Sequence, residues 1–370
     1  MKRLLFITGT RADYGKLEPL AMAAQVAGFK ISFFITGMHM MCRYGETRVE
    51  VRRFPEAEFF EFVNQREGDP LDFVLAKTVM GFSDFVHEHK PDLVIVHGDR
   101  VEALATSIVC AMKYIPSAHI EGGEVSGTID ESLRHCNTKL CTTHFVCSEA
   151  AYHRVINLGE AEDRVFCIGS PELDTHAKPS GVSIEEVAQR YEVPTQNYGV
   201  VIFHPVTSEV KMIGKQAEAL FDRLVTCGRN FVVIMPNNDP GTEKIIEVLD
   251  KLPKDRFRII ASMRFNYFSE LLRNASAMIG NSSVGVREAP FLGVPSLDIG
   301  TRQNERATSP SIVSASAYDS SIIDDFLSTR WGERCERSLE FGVGQAAAKF
   351  VEVLMRPDYW SFSQQKKFNG

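Results

Sequence analysis

The stretch MIGNSSVGVREAPFLGVPSLDIG, from Met278 to Gly300, reads as a strand, a turn, a helix and a second strand. Apolar runs at Met278–Gly280 and Ser296–Ile299 flank an amphipathic segment, Val284–Leu292. Short continuous apolar runs separated by helices are the pattern of a parallel sheet covered on both faces, because such strands have no solvent side to make polar. Outward from this stretch the rhythm continues through Val200–His204, Val232–Met235 and Arg258–Ala261, with a helix over Glu243–Leu252. An equivalent set fills the first half, at Leu4–Thr8, Ile31–Thr36, Leu93–His97, Ala118–Glu121, Phe145–Cys147 and Val165–Ile168. The expected fold is therefore α/β, with two Rossmann-like, doubly wound domains.

Length agrees, since 370 residues exceed what one core usually supports and suit two domains of roughly 150 to 200 residues. The turn residues of IGSPELDT, Gly169–Thr175, mark the join. The expected domains are residues 1–172, rejoined by a C-terminal helix over 357–370, and residues 173–356. Composition, at 44% hydrophobic and 24% charged, is that of a soluble protein. No apolar run approaches the ~18 residues of a membrane span, and MKRLLFITGTRADYG turns polar too early for a signal peptide. A cytoplasmic location follows. A net charge of −7 argues against nucleic acid as a general partner. Eight cysteines without a C-x-x-C pair read as reduced thiols. His135, Cys136, Cys141, His144 and Cys147 straddle a helix end and a buried strand, so their side chains diverge and no metal site is expected.

Ligands of doubly wound sheets collect beyond the carboxyl ends of the strands, which directs attention to the residues there. After the first strand, TGTRADYGKL contains neither a dinucleotide fingerprint nor a P-loop. Arg11 opens the next helix, where it and free backbone N–H groups either meet an anion or it pairs with Asp13 on the surface. In the second half Asn281, Ser282 and Ser283 place donors at a helix start suited to a diphosphate, although Ser283 also fits a simple N-cap. His204, Asn237 and Arg302 stand at other strand ends of the same half. Two such halves imply a ligand spanning a shared cleft, and a nucleotide diphosphate sugar fits, with its nucleotide on the second half.

The acids lie on the first half. Asp99 and Arg100 follow one strand in VHGDR; His119 and Glu121 belong to the next in HIEGGEVSGTIDES. Thr128 and Glu131 match a capping box, and Glu124 reads as solvated. Asp130 is either a first-turn acid favoured by the helix dipole or part of the chemistry.

In this order TGTRADYGKL, VHGDR, HIEGGEVSGTIDES, FHPVT, GNSSVGVRE and GTRQ resemble the hydrolysing UDP-N-acetylglucosamine 2-epimerases of sialic acid biosynthesis, the NeuC type. The resemblance implies a GT-B-like fold with the active site in the cleft between the domains. It further implies conversion of UDP-N-acetylglucosamine and water to N-acetylmannosamine and UDP, without a cofactor, in a homodimer or homotetramer. By motif it makes Asp99, Glu121 and Asp130 acid/base residues assisted by His119. Arg11, Arg100, His204, Asn237, Ser282, Ser283, Glu288 and Arg302 then hold UDP or shape its pocket. His39, in TGMHMM, lies in a family motif near the sugar or is a structural histidine. Non-hydrolysing relatives read GTRPE and HVEAGLR where this chain has GTRAD and HIEGGEVSG. Alternatives are a hydrolysing 2-epimerase acting on UDP-2,4-diacetamido-2,4,6-trideoxyglucose and a GT-B UDP-sugar glycosyltransferase.

Overall fold

The computed structural model describes every residue except Gly127, Thr128, Gln364, Phe368 and Gly370. The chain forms two compact units. One comprises Met1–Glu124, Asp130–Asp174 and Phe341–Gly370, the other Val125–Ile129 and Thr175–Glu340.

The first unit is built on seven parallel strands: β1 (Arg3–Thr8), β2 (Lys30–Ile35), β3 (Glu58–Glu61), β4 (Leu93–His97), β5 (Ser117–Ile120), β6 (Thr143–Val146) and β7 (Val165–Cys167). Their order is β3-β2-β1-β4-β5-β6-β7. Successive residues of β1 enter different cores, which is why the strand is apolar throughout. Leu4 and Phe6 join a cluster with Phe33, Ile95 and Phe145, while Leu5 and Ile7 join one with Phe34, Phe82 and Val94. The second unit repeats the plan with β8 (Tyr198–Ile202), β9 (Asn230–Ile234), β10 (Phe257–Ile260), β11 (Ala277–Gly280), β12 (Ser296–Ile299) and β13 (Ile312–Ala315). All six are parallel, in the order β10-β9-β8-β11-β12-β13. Each sheet reverses direction once, between β1 and β4 and between β8 and β11. Those two switch points are where a doubly wound sheet opens a crevice.

Three local expectations are corrected. Val284–Leu292 is not one helix: Ser283–Gly285 is a 3₁₀ turn and the helix is only Glu288–Phe291. Pro290 would fall in the interior of the longer helix, where it can donate no hydrogen bond. Nor do the described residues among 357–370 form the expected helix. The helix of this returning segment is Ala346–Leu354, followed by a 3₁₀ turn at Pro357–Trp360. The Arg164 guanidinium takes the carbonyls of Tyr359 (2.7 Å) and Ser361 (2.6 Å), which a continuing helix would need for itself. Finally, Glu124 is buried, not solvated. Thr128, the expected cap of the next helix, lies outside the described residues.

Candidate functional site

In the first unit the turn after β1 is organised by Asp13. Thr10 caps the helix Arg11–Val26 and forms a capping box with Asp13, whose carboxylate also accepts from Gly9 N–H (3.0 Å) and the Thr8 hydroxyl (2.8 Å). Asp13 therefore serves its own loop. Arg11 instead approaches Glu50, at 3.5 Å. His39 is fully buried, with Nε2 2.9 Å from Thr8 Oγ1 and Nδ1 2.7 Å from Thr47 Oγ1. Because the Thr8 hydroxyl donates to Asp13, Nε2 donates to Thr8 and Nδ1 accepts from Thr47. Both ring nitrogens are thus occupied, and burial lowers the pKa to about 4. In this structure His39 braces two loops and offers no nitrogen to a sugar.

His119 is likewise fully buried. Its Nε2 donates to Gly98 O (2.8 Å), its Nδ1 lies 3.1 Å from the Thr138 hydroxyl, and burial lowers the pKa to about 3. Both ring nitrogens are thus occupied in this structure. The ring fixes the left-handed turn at Gly98, together with Asn137 Nδ2 at 3.0 Å from the same carbonyl. That turn presents Asp99.

Two of the expected acids emerge on adjacent strands, each with its own cation. Asp99, half-buried, is bonded to Nη2 of Arg134, a buried arginine whose Nη1 also reaches Glu124 O at 3.1 Å. Glu121, buried at the end of β5, receives Lys16 Nζ at 2.7 Å, with His97 Nε2 3.3 Å away. Lys16 also lies 3.5 Å from the fully buried Glu172. Gly123 explains the glycines of the loop: its φ is +76°, and a Cβ there would sit 2.3 Å from Ala151 O. Asp130 lies in the first turn of the helix Ile129–Leu140, four residues before Arg134 and so on the same face. Arg100 stands at the start of the helix Val101–Met112, its Nε 3.5 Å from the buried Glu102. Lys16, His97, Glu102, Arg134 and Glu172 were not expected from the sequence.

In the second unit Asn281 clamps the switch point. Its amide accepts from His204 N–H (2.7 Å) and donates to His204 O (2.8 Å), tying β8 to β11. His204 Nδ1 accepts from Asn237 N–H at 3.1 Å, and the Asn237 amide closes its own loop on Asp239. Asn281 O is in turn approached by Arg302 Nη1 (3.4 Å) and Gln303 Nε2 (2.9 Å). Ser282, rather than Ser283, is the N-cap. Among the described residues the half-buried Ser283 hydroxyl has no hydrogen-bond partner, so it is available to a ligand. Glu288 is buried and bonded to His176 at 2.6 Å. A cavity of about 330 Å³ opens beside this row, lined by Phe203, Val206, Asn281, Gly300, Thr301 and Ser316. Nearby Asp298 is pushed by burial up to about 7, against the pull of Arg302. The second unit thus gathers hydroxyl, amide and guanidinium donors at its strand ends, as an anionic nucleotide requires.

The family model described as UDP-N-acetylglucosamine 2-epimerase matches residues 22–355. The chain belongs to this family. It is 42% identical, over 100% of its own length and 99% of the relative's, to a UDP-N-acetylglucosamine 2-epimerase of Neisseria meningitidis serogroup B. It is 30% identical, over 96% of both chains, to a Legionella pneumophila protein named UDP-N,N'-diacetylbacillosamine 2-epimerase (hydrolyzing). A polysialic acid biosynthesis protein, P7, of Escherichia coli is also 30% identical over 87% of this chain and 85% of the relative. The fold matches the crystal structure of a UDP-GlcNAc 2-epimerase from Neisseria meningitidis bound to UDP-GlcNAc, with a TM-score of 0.80 at 19% identity, covering 95% of this chain and 99% of that one. A UDP-GlcNAc 2-epimerase from Methanocaldococcus jannaschii, in complex with UDP-GlcNAc and UDP, gives the same TM-score and coverage. The two parallel-sheet units are therefore the Rossmann-like domains of a GT-B-like 2-epimerase fold.

Proposed function

We propose that this family member is a hydrolysing UDP-N-acetylglucosamine 2-epimerase, which converts UDP-N-acetylglucosamine and water to N-acetylmannosamine and UDP for sialic acid biosynthesis. The observation that carries the reading is the pair of carboxylates on adjacent strands, Glu121 with Lys16 and Asp99 with Arg134. Carbon 2 of the sugar has no neighbouring carbonyl, so its proton becomes acidic only as the carbon 1–oxygen bond to UDP breaks and positive character develops at carbon 1. Donors at Ser282, Ser283 and Arg302 would stabilise the departing diphosphate. One carboxylate takes the carbon 2 proton, giving 2-acetamidoglucal. Water then adds its oxygen to carbon 1 while a proton returns to carbon 2 on the opposite face. Two faces call for two acid/base groups.

The hydrolysing outcome is supported by GTRAD and HIEGGEVSG in place of the non-hydrolysing motifs, and by the Legionella relative's name. The polysialic acid relative supports the pathway. In deuterium oxide the product should carry deuterium at carbon 2. In oxygen-18 water, early samples should carry label at carbon 1 and none in UDP. Label in UDP, or retention of the original carbon 2 hydrogen, would sink the mechanism. The same Legionella relative favours a second reading, a diacetamido-trideoxyglucose substrate. Rates of UDP release from the two nucleotide sugars decide between them, with UDP-N-acetylglucosamine expected to be faster.

A further inference from the structure

The helix Ile129–Leu140 carries the residue that holds Asp99, yet it has almost no apolar anchor of its own. Among the described residues its buried side chains are Arg134, Asn137 and Thr138, all polar, while Leu133 and Leu140 are half-buried. The three polar residues recur at the i, i+3 and i+4 spacing of one face, and each reaches the Asp99 turn or its support. Arg134 bonds Asp99, Asn137 Nδ2 donates to Gly98 O at 3.0 Å, and the Thr138 hydroxyl lies 3.1 Å from His119 Nδ1. Such bonds are directional, so the placement of the helix decides whether they form.

The far end of this helix is closed by a residue of the returning segment. The last carbonyls of a helix find no donor within it. Asn137 O still takes the N–H of Cys141 at 2.9 Å, but the half-buried Lys366 supplies the next: its Nζ donates to Thr138 O and Lys139 O, each at 2.9 Å, and to Cys141 O at 2.6 Å. Its positive charge also suits the negative end of the helix dipole. Lys366 is itself fixed, because its ammonium meets the buried Glu160 at 2.5 Å, and Glu160 also holds Lys139 at 2.6 Å and His144 of β6 at 2.9 Å. Through Glu160 and His144, one ammonium ties the carbonyl end of the helix to the sheet.

We propose that Lys366 is a positioning residue, which fixes the helix Ile129–Leu140 and so sets the reach of Arg134 to the Asp99 carboxylate. The inference rests on the reading that Asp99 serves the chemistry. A helix seated on a broad apolar face keeps its place when one terminal bond is lost. One seated on a few directional bonds does not, and a small displacement is enough to misplace a reacting group.

Turnover is followed as UDP release from whichever of the two nucleotide sugars the protein uses faster, and the competent fraction is titrated with UDP by calorimetry. Lys366→Met should lower kcat about tenfold while UDP affinity, assigned to the second unit, stays within about twofold. Lys366→Arg, which keeps the charge and the N–H donors, should recover most of the loss. The decisive arm is the Asp99→Asn background. There Lys366→Met should change kcat less than about twofold, because no acid/base group remains at that position for the helix to place. A residue that merely supports the fold would cost as much in either background. That result, or unchanged turnover in the single variant, overturns the role given to Lys366 while leaving the proposed reaction intact. No UDP release from either sugar by the unaltered protein overturns both readings. Should Lys366→Met not fold, Lys366→Gln, which keeps a neutral donor, is put through the same pair of backgrounds and read by the same outcomes.

Discussion

Glu121 has φ +67°, a left-handed conformation that side chains other than glycine rarely adopt and that costs roughly 1–3 kcal/mol. It persists because its surroundings determine it: the backbone N–H donates to Phe145 O at 3.0 Å and the carboxylate meets Lys16 and His97. A residue kept in an unfavourable conformation to aim a carboxylate at a strand end is a strong candidate for chemistry. Glu121→Gln and Asp99→Asn should each lower turnover at least ~100-fold with UDP affinity little changed. Lys16→Met should do the same, since it removes the charge that orients Glu121. UDP release assays and calorimetry on the same samples check this, and equal losses in both would mark these residues as structural. For Asp130→Asn, near-normal turnover would return the residue to its helix-dipole role. Arg302→Ala should instead weaken UDP binding by roughly 1.5–3 kcal/mol, the worth of a hydrogen bond to a charged group. Unchanged affinity would show that the nucleotide pocket lies elsewhere.

Among elements, the central strands were legible because burial on both faces forces continuous apolar runs, and β4 and β12 begin and end where expected. Of the four edge strands, β7 and β10 overlap expected runs but β3 and β13 were not expected. EFFE and IVSA carry the polar residues that an edge tolerates, and these interrupt the apolar run. The site was legible in its motifs but not in its wiring. Lys16 lies 105 residues from Glu121 and Arg134 lies 35 from Asp99, and a basic residue in a helix reads as surface until the fold brings its partner. Burial was equally hidden: His119, two residues before Glu121, and His39, for which the sequence left a structural role open, are both fully buried with both ring nitrogens occupied. Loop packing yields a prediction of its own. Gly37 has φ +62°, and a Cβ there would lie 2.7 Å from Gly9 O and 2.8 Å from Glu102 Oε1. Gly37→Ala should therefore destabilise the protein by at least roughly 1–3 kcal/mol. Urea unfolding measures it, and an unchanged midpoint would mean that the loop yields freely.

For the molecule as a whole, the buried histidines set an acid limit. His39 and His119 have folded pKa values of about 4 and about 3, below the ordinary value near 6.5, so the unfolded chain takes up protons that the folded chain refuses. Stability should be full above pH ~6.5 and fall as the pH drops toward 4, by on the order of 2 kcal/mol per histidine at pH 5. Glu160 adds to the decline at lower pH. Its partners His144, Lys139 and Lys366 hold its carboxyl down to about 2, a contribution present above pH ~4.5 and lost between there and 2. Denaturant midpoints measured from pH 4 to 8 should trace the histidine part, and a flat profile would mean that both rings titrate normally. The returning segment governs a different matter, the timing of assembly during synthesis. Ala346, Phe350, Leu354 and Tyr359 belong to the same core as Leu4, Phe6 and Leu17 of the opening strand and helix. A ribosome releases Thr175–Glu340 in one continuous piece, free to condense as it emerges, but the unit begun first must wait with an open flank until residue 359 is clear. The usual order of domain completion is thereby reversed, and a chain cut short after Glu340 would injure the end of the protein that was made earliest.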